Sequence, residues 1–163
     1  MKKFLAFFMM LLPLAIASCG SDEPQTNTTK DPDGTILVNI RVDDYTYADG
    51  CGIELLEDFN FMESSSESKR ISIVGPVKGI GNINVTSSQV NSMVWTDRAA
   101  AIVGYGYIFK IYNHDKYNES LGKTEYFNDY YAVYVSSEIV STSGGVIGFT
   151  LKVRKILENI KED

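Results

Sequence analysis

YYAVYVSSEIVSTSGGVIGFTLKVRKI, residues 130–156, places two runs rich in β-branched and aromatic side chains on either side of the small-residue stretch STSGG. Runs of this kind around a Gly-Gly turn signal read as the two arms of an antiparallel hairpin. In the second arm Ile147, Phe149, Leu151 and Val153 share one face, because successive side chains of a strand point to opposite sides. The core is therefore expected on the odd-numbered face of that arm.

The same period recurs upstream. TILVNIRV (35–42) alternates Ile36, Val38, Ile40 and Val42 against Leu37, Asn39 and Arg41, the pattern of a half-buried strand. GIELLEDFNFM (52–62) reads as a second strand that bends near Asp58, and ESSSES (63–68) as an exposed loop. RISIVGPVKGIGNINV (70–85) is β-branched but punctuated by Gly75-Pro76, Gly79 and Gly81, so it divides into short strands. Met93, Trp95, Ala99, Ala101 and Val103 recur at odd positions and lead into YGYIFKIYN (105–113), which gives two adjacent strands. HDKYNESLGKTEYFND (114–129) has neither period and reads as a functional loop or a flexible insertion. LENIKED (157–163) reads as a polar tail. No stretch beyond the first residues shows a helical stripe. The expected fold is all-β, a single antiparallel β-sandwich or small β-barrel of about 7–9 strands over residues 34–156. Both solutions bury alternating residues, so the period leaves them open.

The chain's address is written at its start. Lys2 and Lys3 precede an uncharged stretch from Phe4 to Ala17, which is interrupted by Pro13 and ends in small residues before GSDEP. A spanning helix needs about 20 apolar residues, so residues 1–18 read as a signal peptide. With Ala17 and Ser18 directly before Cys19, the segment resembles a bacterial lipoprotein signal peptide with its lipobox. That resemblance implies Cys19 as the lipidated first residue of the mature chain, and a membrane partner through that lipid. Gly20 followed by Ser21, Asp22 and Glu23 resembles the acidic export signal of Bacteroides-type surface lipoproteins. Residues 19–33, rich in Thr, Asp and Pro and without apolar periodicity, read as a flexible tether.

Charge narrows the partners. The 163-residue chain carries a net charge of −6, and losing Lys2 and Lys3 with the signal segment deepens it to −8. Phosphate binding relies on clustered Lys and Arg, so nucleic acid is not an expected partner. An acidic domain beside an anionic surface is repelled from it, which suits a spacer. Of the two cysteines, Cys19 is taken by lipid, and Cys51 is left to act as a small buried hydrophobe.

Catalytic chemistry finds little support. His114 is the sole histidine, no G-x-S-x-G elbow occurs, and the adjacent acids Asp43-Asp44 and Glu57-Asp58 point to opposite faces of a strand. GKT at 122–124 lacks the upstream glycine of a P-loop, because Tyr117 stands there. DPDG (31–34) lacks the remaining ligands of a calcium loop and reads as a turn. The expectation is a non-catalytic protein without cofactor or metal.

Eight of the ten tyrosines lie between Tyr105 and Tyr134. Tyrosine favours strands, but its apolar ring and polar tip also suit sugar or peptide binding. Tyr117, Tyr126 and Phe127, in the polar stretch, are the candidate ligand-binding residues. The order DPDGT (31–35), GPVKGIGN (75–82), Trp95 with GYGYIFKIY (104–112), and YYAVYVSSEIVSTSGGVIGFTLK (130–152) resembles a family of small uncharacterised Bacteroides-type lipoproteins, a domain of unknown function. The resemblance covers most of residues 31–155 and implies an outer-membrane lipoprotein, with no site residues to carry over. Two functions follow as expectations: a cell-envelope lipoprotein that binds a glycan or protein partner through its loops, on the surface or the periplasmic face, or a structural accessory subunit of an outer-membrane complex. An exposed aromatic patch favours the first and an exposed apolar strand edge the second.

Overall fold

The run from Tyr130 to Val135 is buried almost without a break, because both faces of its strand are covered. The computed structural model describes residues 30–63 and 69–162. Residues 1–18, Cys19, the tether up to residue 29 and most of ESSSES lie outside the described residues. Nine strands are described: β1 (Ile36–Arg41), β2 (Asp44–Ala48), β3 (Cys51–Leu55), β4 (Asn60–Glu63), β5 (Ile71–Pro76), β6 (Arg98–Ala100), β7 (Tyr105–Asn118), β8 (Lys123–Val140) and β9 (Val146–Lys161). Among the described residues one α-helical turn, α1, spans Ser87–Val90.

Two antiparallel sheets form a sandwich, the larger in the order β1-β9-β8-β7-β5 and the smaller in the order β2-β3-β4-β6. The predicted hairpin is β8–β9, with Val133 opposite Val153 and Val135 opposite Leu151. Phe149, Leu151 and Val153 are buried in the core as their period requires, and Ile147 is half-buried at the margin. Ile36, Val38 and Ile40 of β1 face the same core beside β9, where they meet Ile53, Leu55 and Phe61 of the smaller sheet. Phe61 packs edge-on against Tyr107 at 5.4 Å between ring centres, an aromatic contact that joins the two layers. Buried Tyr107 and Tyr131 donate their hydroxyls to the carbonyls of Ala100 and Asp49 at 2.5 and 2.7 Å. Both rings thus fill the core while their polar ends are satisfied by backbone at the margin of the smaller sheet.

A second apolar layer covers the outer face of the larger sheet. Ile80, Ile83 and Val90 pack on Ile108, Tyr130 and Ala132, with Val77, Met93 and Trp95 beside them. The segment between β5 and β6 is therefore a cover, and the period-two reading of Met93 and Trp95 as a strand is corrected: beyond a single bridge from Thr96 to Ile71, only Arg98–Ala100 join a ladder, because Met93 and Trp95 pack down onto β7 and β8 instead. GIELLEDFNFM is likewise two strands with a turn at residues 56–59, where Phe59 takes φ 58°. β2 was not foreseen. Its hairpin to β3 turns on Asp49-Gly50, both at positive φ (54° and 94°), the pairing that two-residue hairpin turns demand. Lys30 bridges to Ile36, and Asp33 accepts the Thr35 N–H at 3.0 Å, so the end of the presumed tether is a turn folded onto β1.

Candidate functional site

The long strands outrun their neighbours. β1 pairs with β9 only over residues 148–153, and β5 pairs with β7 only over residues 105–109, whereas β7 and β8 stay paired out to Asn118 and Lys123. Beyond these limits β7, β8 and β9 run on as a three-stranded ribbon, covered at its root by the segment around α1, on which Leu157 and Ile160 pack, and exposed towards its tip. Residues 114–129 are thus strand, turn and strand, which corrects the loop assignment. Residues 157–161 are its third strand, which corrects the polar tail. Towards the tip, over residues 114–118 and 123–127, neither face is fully buried, so no apolar period marks it.

Asp129 clamps the root of the ribbon. It accepts the Asn113 side-chain amide, the Asn159 backbone N–H and the Lys155 ammonium, each at 2.9 Å. Burial pushes this carboxyl up, but those three donors outweigh it and hold it below the ordinary aspartate value. The Asp129 carboxylate in turn raises the Lys155 ammonium well above its usual range. The bulge in β7 between Tyr112 and His114 and the left-handed Asn159 (φ 54°) turn these donors onto one carboxylate.

Pairing sorts the predicted residues onto opposite faces. Asp115 lies opposite Tyr126, and Tyr117 lies opposite Thr124, so Tyr117 and Tyr126 are diagonal neighbours on the outer face, 60% and 51% exposed. Tyr112, 40% exposed, joins them from the other side of the bulge and donates its hydroxyl to Asp115 at 2.7 Å. That hydrogen bond to a carboxylate raises the Tyr112 hydroxyl's pKa above its usual value. Phe127 is not part of this face. It pairs with His114 and stacks on the imidazole at 4.8 Å with the planes 7° apart, half-buried on the opposite side. His114 and Asp115 consequently point apart, and no His–Asp couple forms.

Where the ribbon leaves the cover, three shallow hollows meet. One, of about 510 Å³, lies between Ser87, Ser88 and Asn91 of the α1 region and Asn159, Ile160 and Lys161 of β9. A second, of about 160 Å³, is walled by Trp95, Lys110, Tyr130 and Glu162. The third, of about 260 Å³, lies beside Thr124 and Tyr126. Lys110 bridges to Glu162 at 2.7 Å and lies 5.2 Å from the centre of the Trp95 ring. The Lys110 hydrogen bond keeps the Glu162 carboxyl below its ordinary value. Hydroxyls, amides and half-covered aromatic faces along one trough suit a ligand with many hydroxyls and apolar ring faces.

Tyr112, Asn91, Trp95 and Asn159 were missed as site residues, since they come from separate segments that only the tertiary fold assembles. The Tyr117–Tyr126 pairing had a readable signal in NESLGK, a short Gly-containing stretch between two tyrosine-bearing runs. Cys51 is fully buried in the core, where burial and then Glu63 push its thiol well above the ordinary range. The chain matches no protein-family model, no curated protein and no solved structure.

Proposed function

We propose that this chain is a non-catalytic lipoprotein of the cell envelope, anchored to the outer membrane through Cys19, that binds a glycan on the outer face of its ribbon. The anchor rests on the resemblance of residues 1–19 to a lipoprotein signal peptide. The ligand rests on one observation: Tyr112, Tyr117 and Tyr126 stand exposed on a single face beside a trough of hydroxyl and amide side chains. Paired strands carry these rings, so binding costs less ordering of backbone than a loop would.

An array of envelope polysaccharides probed with the detergent-extracted protein tests the ligand. Tyr112→Ala with Tyr126→Ala should abolish retention and leave the melting temperature nearly unchanged, since exposed substitutions shift stability by about 0.5 kcal/mol or less. Retention that survives the double substitution rejects the face. Intact mass tests the anchor: an acylated chain beginning at Cys19 is expected, and Cys19→Ser should remove the acyl mass and release the protein from membranes.

The accessory-subunit reading has an observation of its own. Ile73 and Val74 on the edge strand β5 are 54% and 41% exposed, and Ile102 and Val103 between β6 and β7 are 43% exposed each. The bulge between Ile73 and Gly75 and the missing N–H of Pro76 blunt strand addition along this edge. A partner there would have to pack on side chains, and crosslinking in intact cells from position 73 would reveal it.

A further inference from the structure

We propose that the tip of the ribbon, with Tyr117 and Leu121, rests on the surface of the bilayer that holds Cys19 and so sets the orientation of the domain. The inference rests on the lipoprotein reading. Its starting point is where the described chain begins: Lys30 bridges to Ile36, which stands opposite Val153, itself opposite Val133, at the root of the ribbon. Lys30 lies eleven positions beyond Cys19, and a chain of that length spans at most about 40 Å. A lipid on Cys19 therefore keeps the root of the ribbon within about 40 Å of the headgroups. From Val133 β8 runs back 10 residues to Lys123, where the tip turn ends, about 33 Å at roughly 3.3 Å per residue. The ribbon is nearly as long as the fully stretched spacer, so a ribbon directed at the membrane reaches it whenever the spacer is extended to about 33 Å or less.

The chemistry of the tip selects that direction. Leu121, in the turn itself, is 58% exposed, and Tyr117 at the end of β7 is 60% exposed. Tyrosine prefers the headgroup level of a bilayer. Lys116 and Lys123 place one cation on each strand beside them, and such side chains keep an ammonium among headgroups while their stems lie on apolar surface. Of the nearby acids, Glu125 is held by Lys161 at 2.6 Å and Asp115 by the Tyr112 hydroxyl, while Glu119 stands exposed in the turn between the two lysines. The turn at the other end of β8 is STSGG, which offers only hydroxyls and backbone. Without residues 1–18 the chain carries a net charge of −8, so anionic headgroups repel its body more than its tip. Contact that is weak in free solution becomes appreciable when a tether holds the tip nearby.

The test uses the full-length lipidated protein in vesicles of phosphatidylethanolamine and phosphatidylglycerol that carry a nitroxide at headgroup depth. An environment-sensitive fluorophore is attached at Ser120→Cys in the tip, or at Ser143→Cys in the far turn. Cys51, 0% exposed, does not compete for label in the native fold. The tip label is expected to shift to shorter wavelength and to be quenched by the nitroxide, the far label to do neither, and the tip effect to disappear when Tyr117→Ser and Leu121→Ser are added. Anchored protein whose tip label stays in water, or whose far label is quenched instead, overturns the proposal and leaves the anchor standing. Protein that fails to float with the vesicles refutes the anchor and the proposal with it. A blue shift without quenching that grows with protein concentration assigns the tip to a second copy of this chain and likewise overturns the proposal.

Discussion

Gly148 shows how closely β1 lies on β9. A Cβ added there would fall on the carbonyl oxygen of Ile40 and come within 2.8 Å of the Arg41 Cα, backbone that cannot rotate away. Gly148→Ala is expected to cost about 3 kcal/mol, at the upper end of ordinary overpacking. Gly145→Ala, where the nearest atom is the Ser141 hydroxyl at 3.7 Å, should change stability by about 0.5 kcal/mol or less. Chemical denaturation of the pair decides it, and equal midpoints would show that β1 is not seated on β9 as described. The neighbouring Phe149 was readable from alternation alone. The need for glycine at 148 was not, because it arises from a strand more than a hundred residues away in sequence.

At the level of elements, the ribbon is where reading the sequence and seeing the fold part company. A strand announces itself by period two only when one of its faces is buried. Residues 114–118 and 123–127 bury neither face fully, so their sequence carries charges and tyrosines with no apolar rhythm. What holds them is pairing and the clamp at Asp129, whose effect on stability has a definite pH signature. The donors that lower the Asp129 pKa stabilise the fold above the ordinary aspartate value of about 4, and that contribution is lost as pH falls through the lowered native value. Lys155, raised in turn, contributes fully below its ordinary value and loses that only in strong alkali. Asp129→Asn should therefore cost about 1–3 kcal/mol at neutral pH. The difference from the parent protein should shrink in urea titrations below pH 4. A gap that stays constant into strong acid would mean that the carboxylate's charge contributes nothing to the root of the ribbon.

The whole molecule combines a sandwich with a ribbon that leans on it only at one end, and this division has a kinetic consequence. Alternation in β1 and β9 revealed the all-β class and the face that is buried, but the choice between sandwich and barrel lay in which strands pair, and side-chain period is the same in both. Phe149 and Cys51 come from different sheets and share one core, so they should open together if the sandwich unfolds as a unit. Cys51 is fully buried and its thiol is held protonated, so a thiol reagent reaches it only through that opening. Phe149→Ala is expected to cost about 3 kcal/mol or more. Where reclosing outpaces the reagent, that loss raises the rate of Cys51 modification roughly a hundredfold, at a factor of ten for each 1.4 kcal/mol. Tyr117→Ala, far out on the ribbon, should leave the rate within about two-fold, since an exposed substitution costs about 0.5 kcal/mol or less. A Phe149→Ala protein whose Cys51 reacts no faster would show that the two sheets do not share a cooperative core. A Tyr117→Ala protein whose Cys51 reacts as fast as the Phe149 variant would show that the ribbon is part of the folding unit and not an appendage to it.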